Sequence, residues 1–346
     1  PGAGCHPGPA GQVKPRTAGS GALAPWAAAA ALVVPLVFGA CDPGAPQGDA
    51  PGSAPQPLLT ERPRFDGNAA LELVRTQVDF GPRVPGTEGH AAQLAWMLDL
   101  LRAHADTVTV DAFTHTATDG RVLELTNVMA SFRPDSEHRI LVLAHWDTRP
   151  TSDQAPDPAD RDTPVPGAND GASGTAVLLE LARMMATQPP GTGVDLLFVD
   201  GEDYGPGTED MFLGARRYAN GLSAGQGMGP GRPRFGVLLD LVGDAEARFP
   251  VEGYSADRAP QVVQRVWGIA ARLGYGRYFP LDVVGYVNDD HVPLNDAGLP
   301  TIDVIDFDYG PDNAWWHTPE DTPDKLSART LGMVGEVVAE LLYQGG

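Results

Sequence analysis

Residues 139–147 read RILVLAHWD. Every residue from Ile140 to Ala144 is apolar, and the run stops at His145 and Asp147. A strand of this kind buries both faces, which is the habit of parallel sheets covered by helices on each side. "VDLLFVDGED" (194–203) and "RFGVLLDLVGD" (234–244) repeat the form. Further out, "DTVTVDAFTH" (106–115), "VLELTNVMASF" (122–132) and "LPTIDVIDFD" (299–308) also read as strands. Between and around them, helical spacing of apolar residues marks 68–81, 90–105, 173–186, 211–220, 259–274 and 327–343. The alternation predicts an α/β fold, a three-layer α/β/α sandwich with a mixed, mainly parallel central sheet. Ligands of such sheets bind outside the carboxyl ends of the strands.

Those ends carry a set of acids and histidines. His145 and Asp147 close one strand, Asp200, Glu202 and Asp203 another, and Asp240 and Asp244 a third. Asp289, Asp290 and His291 follow in "VNDDHVP", and His317 in "AWWHTPED". Asp170 stands alone among small residues in "GANDGASG" (167–174), where it could cap the next helix or bind a metal. Crowded carboxylates repel and raise one another's pKa, a cost that a divalent cation removes. Imidazole and carboxylate without thiolate suit zinc. In His145-x-Asp147 one ring nitrogen can face metal while a carboxylate fixes the proton on the other.

Of 346 residues, 42% are hydrophobic, enough for a sizeable core, and the formal net charge of -21 argues against nucleic acid as a partner. Lys14 and Arg16 precede the apolar stretch "GALAPWAAAAALVVPLVFGAC" (21–41), which reads as an export signal. Its ending, Phe38-Gly39-Ala40-Cys41, is similar to a bacterial lipoprotein cleavage site. Residues 1–41 are therefore expected to be a signal, 42–64 a Pro- and Gly-rich flexible tether, and 65–346 one catalytic domain. This implies an exported protein of the bacterial cell envelope, touching membrane only through a lipid on Cys41.

The chain resembles the zinc aminopeptidase and glutaminyl cyclase family of co-catalytic zinc exopeptidases. The resemblance rests on "FGPRVPGTEGH" (80–90), "AHWD", "GANDGASG", "FVDGED", "LLDLVGD", "DDHVPL" and "WHTPED", which occur in the family's order. It implies one or two Zn²⁺ ions and peptide or protein N-termini as substrates. Carried over, His145, Asp170, Asp203, Asp240 and His317 are the metal ligands, with Asp170 bridging or binding a single zinc, and Glu202 is the catalytic acid and base. Asp203 departs from the family's usual glutamate and is one methylene shorter, yet must still reach an oxygen–zinc distance of about 2.0–2.2 Å. Asp147 is expected behind the ligands, Asp200 as a buried anchor, Asp244 as a turn cap and His291 as the start of a helix. His90, His104, His115 and His138 are expected to be surface or loop residues.

Within this family Asp289 and Trp316 favour a cyclase, in which Asp289 assists proton transfer and Trp316 walls a small pocket. Asp303 stands where animal cyclases have a pocket histidine. It could instead hold a substrate ammonium with Asp306 and Asp308, as an aminopeptidase would need. The sequence thus predicts a glutaminyl-peptide cyclotransferase-like enzyme, with a zinc aminopeptidase as the alternative. A catalytically inactive binding module is the third reading, and the complete set of ligand side chains and Glu202 speak against it.

Overall fold

The computed structural model describes residues 60–346. The expected signal, with Cys41, and most of the expected tether lie outside the described residues. The strands are β1 (Thr107–Thr116), β2 (Val122–Phe132), β3 (Arg139–His145), β4 (Gly193–Val199), β5 (Gly236–Asp240) and β6 (Thr301–Ile305). They form one sheet in the order β1-β2-β4-β3-β5-β6. β1 and β2 pair antiparallel, as do β2 and β4, while β4, β3, β5 and β6 run parallel. The sheet is mixed and mainly parallel, as its apolar strands require.

All of β3 is buried, and its side chains alternate between two cores. Ile140, Val142 and Ala144 enter one core, Leu141 and Leu143 the other. The first core is covered by α1 (Gly67–Asp79), α2 (Glu88–His104), α3 (Ala172–Thr187), α6 (Pro260–Arg272) and α8 (Ala328–Tyr343). α4 (Leu213–Ser223) and α7 (His291–Asp296) cover the second, and the short α5 (Gly253–Arg258) packs on β6. The three layers match the sequence reading.

Local chemistry sets several helix starts. The Asp66 carboxylate accepts from the N–H groups of Asn68 and Ala69 at α1, and Ser327 caps α8 through the N–H of Arg329. Gly174 lets α3 lie on the sheet, because a Cβ there would stand 2.1 Å from the Leu239 carbonyl oxygen. The ordered domain also starts before residue 65. Arg62 is buried, with its guanidinium 2.8 Å from Glu336 and 2.9 Å from Glu340 on α8. A buried guanidinium needs such partners, so the anchored chain begins at least three residues inside the span read as tether.

Candidate metal centre

The carboxyl ends of β3, β4 and β5 and two loops bring the rim residues together. β3 ends in His145, paired in register with Val199, after which the chain turns through Glu202 and Asp203. β5 ends in Asp240. The loop bearing Asp170 is held by Asp321, whose carboxylate accepts from the N–H groups of Asn169 (2.7 Å) and Asp170 (3.1 Å). Gly171 follows at φ +92°, and a Cβ there would lie 2.6 Å from the Asp147 carbonyl oxygen and 3.1 Å from the His145 ring. Both the turn and the close approach require glycine. Gly171 is itself the residue capping α3 and no side chain caps it, so the cap reading of Asp170 fails. Its carboxylate faces two histidines instead.

Asp170 Oδ1 lies 3.2 Å from His145 Nε2, and Asp240 Oδ1 lies at the same distance from that nitrogen. Asp170 Oδ2 is 3.6 Å from His317 Nε2, which is 3.5 Å from Asp203 Oδ1. Two groups that could hold a metal ion result, His145–Asp170–Asp240 and Asp170–Asp203–His317, each with its donor atoms within 4.8 Å of one another. Asp170 belongs to both. His317 adopts φ +54° and Leu241, next to Asp240, φ +50°, conformations that cost non-glycine residues energy and collect at functional sites.

The donors fit zinc. They are nitrogen and oxygen only, and Asp203 reaches the cluster despite its shorter side chain. Asp203 Oδ1 pairs with Arg149, while Oδ2 is buried without a partner, as is His145 Nδ1. The carboxylates are starved of positive charge. Burial, then Asp170, pushes Asp203 up to about 7, and burial, then the charges of Asp203, Asp289 and Asp290, pushes Glu202 well above its ordinary value. Burial acts against Asp170 too, but His145 and His317 outweigh it and hold this carboxylate low. A divalent cation between the sets would supply the missing charge.

Around the centre, Asp147 Oδ1 is 3.7 Å from His145 Nδ1, beyond hydrogen-bond reach. Its closer partners are the N–H groups of Glu202 (3.0 Å) and Asp203 (3.2 Å), so it fixes the turn after β4. Asp153 and Arg149 carry no motif and escape a reading of the sequence. Asp153 Oδ1 stands 3.2 Å from His317 Nδ1, and Arg149 joins Asp153 to Asp203. Trp316 lies on His317 with ring centroids 3.7 Å apart and meets Phe307 edge-on at 5.0 Å.

Asp289, Asp290 and Asp303 are all buried. Burial, then Asp240, pushes Asp289 up to about 8. Asp303 feels Asp289 and Asp240, whereas Asp306 turns toward Asp244 and the N–H of Arg248 and Asp308 is exposed. These three acids therefore do not converge on one ammonium. Asp200 anchors the N–H of Thr126, Asp244 accepts from Glu246 and Gly310, and His291 opens α7 with Nε2 3.0 Å from Glu252, all as expected. His90 departs from expectation. It is buried, stacked on Trp146 at 4.2 Å and bonded to Asp200 at 3.0 Å, which ties α2 to the sheet. His115 pairs with Asp210 at 2.7 Å, His104 ends α2 half-exposed and His138 is exposed.

The sequence profile of peptidase family M28 matches residues 127–342. Aminopeptidase YwaD of Bacillus subtilis is 28% identical over 59% of this chain and 40% of its own length. The glutaminyl-peptide cyclotransferase-like protein of mouse is 30% identical over 68% of this chain and 64% of its own. The chain thus spans less than two thirds of both curated relatives. Among solved structures, a glutaminyl cyclase of Bacteroides thetaiotaomicron is 38% identical with a TM-score of 0.77, covering 82% of this chain and 99% of that one. A Zn-dependent exopeptidase of Parabacteroides distasonis is 36% identical with a TM-score of 0.76, over 81% and 99%.

Proposed function

The chain belongs to peptidase family M28, and from that premise we propose that it is a zinc enzyme acting on the N-terminal residue of peptides, converting N-terminal glutamine to pyroglutamate. Asp170, Asp203 and His317 would hold the zinc. Zinc, when bound, polarises the γ-amide oxygen of the substrate. Glu202 takes a proton from the α-amino nitrogen as that nitrogen bonds to the side-chain amide carbonyl carbon, Cδ, and returns it to the departing nitrogen as the old Cδ–N bond breaks. Ammonia leaves and the ring is closed. Asp240, with one oxygen facing the centre, would hold the α-amino nitrogen, and Asp289 assists the proton's passage. The ring closure is intramolecular, so the enzyme's largest contribution is orientation. Trp316, flat against His317, is the wall that supplies it.

The observation that carries the cyclase reading is Asp289, a buried carboxyl within electrostatic reach of Glu202. Burial and the neighbouring Asp240 push its carboxyl up, the direction that suits a group passing protons near neutral pH. The second reading, an aminopeptidase, is favoured by the pair of ligand sets sharing Asp170, an arrangement suited to two ions and a bridging water. One preparation offered both an N-terminal Gln peptide and a Leu-anilide separates them. Cyclisation of the Gln peptide, with loss of the mass of ammonia, supports the first. Free leucine with the Gln peptide intact overturns it. The export-signal reading of residues 21–41 supports work outside the cytoplasm, in the cell envelope, and the net charge of -21 speaks for peptides over nucleic acid.

A further inference from the structure

A groove of about 1110 Å³ is lined by residues within 280–287 and 306–312 and by Trp315, next in the chain to Trp316. Phe307 lines it and meets Trp316 edge-on, and Trp316 stacks on His317, so a single side chain links the groove wall to the metal-centre histidine. Seven carboxylates face it, against Arg248 and Lys325 alone. Lys325 is already spent on Glu320 (3.1 Å) and Asp324 (3.0 Å). Asp282, Asp308 and Asp312 are exposed and form no ion pair with a described residue. Three of the seven exposed large apolar side chains of the described residues also line this groove: Val284, Tyr286 and Phe307. Apolar side chains gathered in this way mark an interaction surface. The segment that presents them is fixed. Val251 and Gly253 donate to the carbonyls of Asp282 (2.9 Å) and Gly285 (3.0 Å), and Val284 donates to Val251 (2.9 Å).

We propose that this groove binds the residues following the N-terminal one, and that it selects cationic peptides in which Lys or Arg alternates with apolar side chains. This rests on the proposed action at peptide N-termini. The unpaired acids attract the charges, and the Tyr286, Phe307 and Trp315 rings take apolar groups or the stems and heads of Lys and Arg. The Nζ of Lys325, 5.4 Å from the centre of the Trp315 ring, already occupies such a position.

The test uses the full-length, zinc-loaded protein and two unreactive pyroglutamyl pentapeptide amides, one with Lys at positions 2, 4 and 5 and Phe at 3, the other with Glu replacing each Lys. Fluorescence anisotropy at low ionic strength should show the basic peptide binding at least about tenfold tighter, with the ratio shrinking as salt screens it. The double variant Asp282→Asn/Asp312→Asn should cut that ratio severalfold with unchanged thermal unfolding. Equal affinity for the two peptides, or a preference indifferent to both salt and the variant, overturns the proposal. Turnover of glutaminamide, too small to reach the groove, reports the chemistry separately. Wild-type protein that prefers the basic peptide but leaves glutaminamide unchanged keeps the groove and loses the cyclase. The reverse outcome loses only the groove.

Discussion

Nδ1 of His317 meets Oδ1 of Asp153 at 3.2 Å, and that contact turns the other ring nitrogen toward Asp170 and Asp203. Asp153 thereby selects the tautomer that can bind metal. Carboxylates behind a ligating histidine typically contribute about 10–100-fold in metal affinity. Asp153→Ala should lower zinc affinity by about that factor in chelator competition, and Asp153→Asn, which retains an acceptor, should recover part of it. Unaltered affinity in the alanine variant would remove Asp153 from the centre.

Asp170 is shared between the two candidate ligand sets, so the number of ions can be read from variants of each set. If both fill, elemental analysis gives two zinc per chain in the wild type. His145→Ala should then keep one, His317→Ala should keep at most one, and Asp170→Asn should lose most of both. One zinc in the wild type, insensitive to His145→Ala, restricts the metal to Asp170, Asp203 and His317. Zinc fully retained in His317→Ala refutes the ligand assignment.

Glu202 belongs to neither ligand set, its carboxylate standing 3.8 Å from the far ring nitrogen, Nδ1, of His145, so Glu202→Gln should keep its zinc while turnover falls by about 10²–10⁴-fold, the usual worth of a positioned proton carrier. Asp289 separates the two chemistries. Asp289→Ser should reduce cyclisation of a Gln peptide at least about tenfold more than any hydrolysis of a Leu-anilide. A uniform loss on both substrates would make Asp289 a structural residue.

Asp306 gives a pH dependence independent of the metal. Burial, then Asp244, pushes its carboxyl up to about 7 from an ordinary 3.8. A folded-state pKa above the unfolded one adds stability that is complete below pH 3.8 and is lost as pH rises through about 7. Asp306→Asn removes this dependence. The variant should gain on the wild type by up to about 3 kcal/mol more at pH 8 than at pH 5 in thermal unfolding. An identical difference at both values would mean that Asp306 ionises normally.

The layers were legible because the parallel strands are unbroken apolar runs, and the candidate ligands other than His317 stood out because each follows such a run or sits in a glycine-rich turn. His90 misled because its partners, Trp146 and Asp200, lie far along the chain and only the packed sheet brings them to it. Arg149 and Asp153 sit in an irregular polar loop with no period to expose them. α5 and α7 are six residues each, too short for apolar spacing to declare a helix. Asp321 was visible within "WHTPED", but its task was not, because its partners are 151 and 152 residues away.

That last separation orders events during biosynthesis. In the folded chain the carboxylate of Asp321 closes over two N–H groups of the loop bearing Asp170. A nascent chain halted before residue 317 would carry His145, Asp170, Asp203 and Asp240 yet lack both His317 and that clasp. The proposed set Asp170–Asp203–His317 is therefore complete only once residues 317–321 have been made.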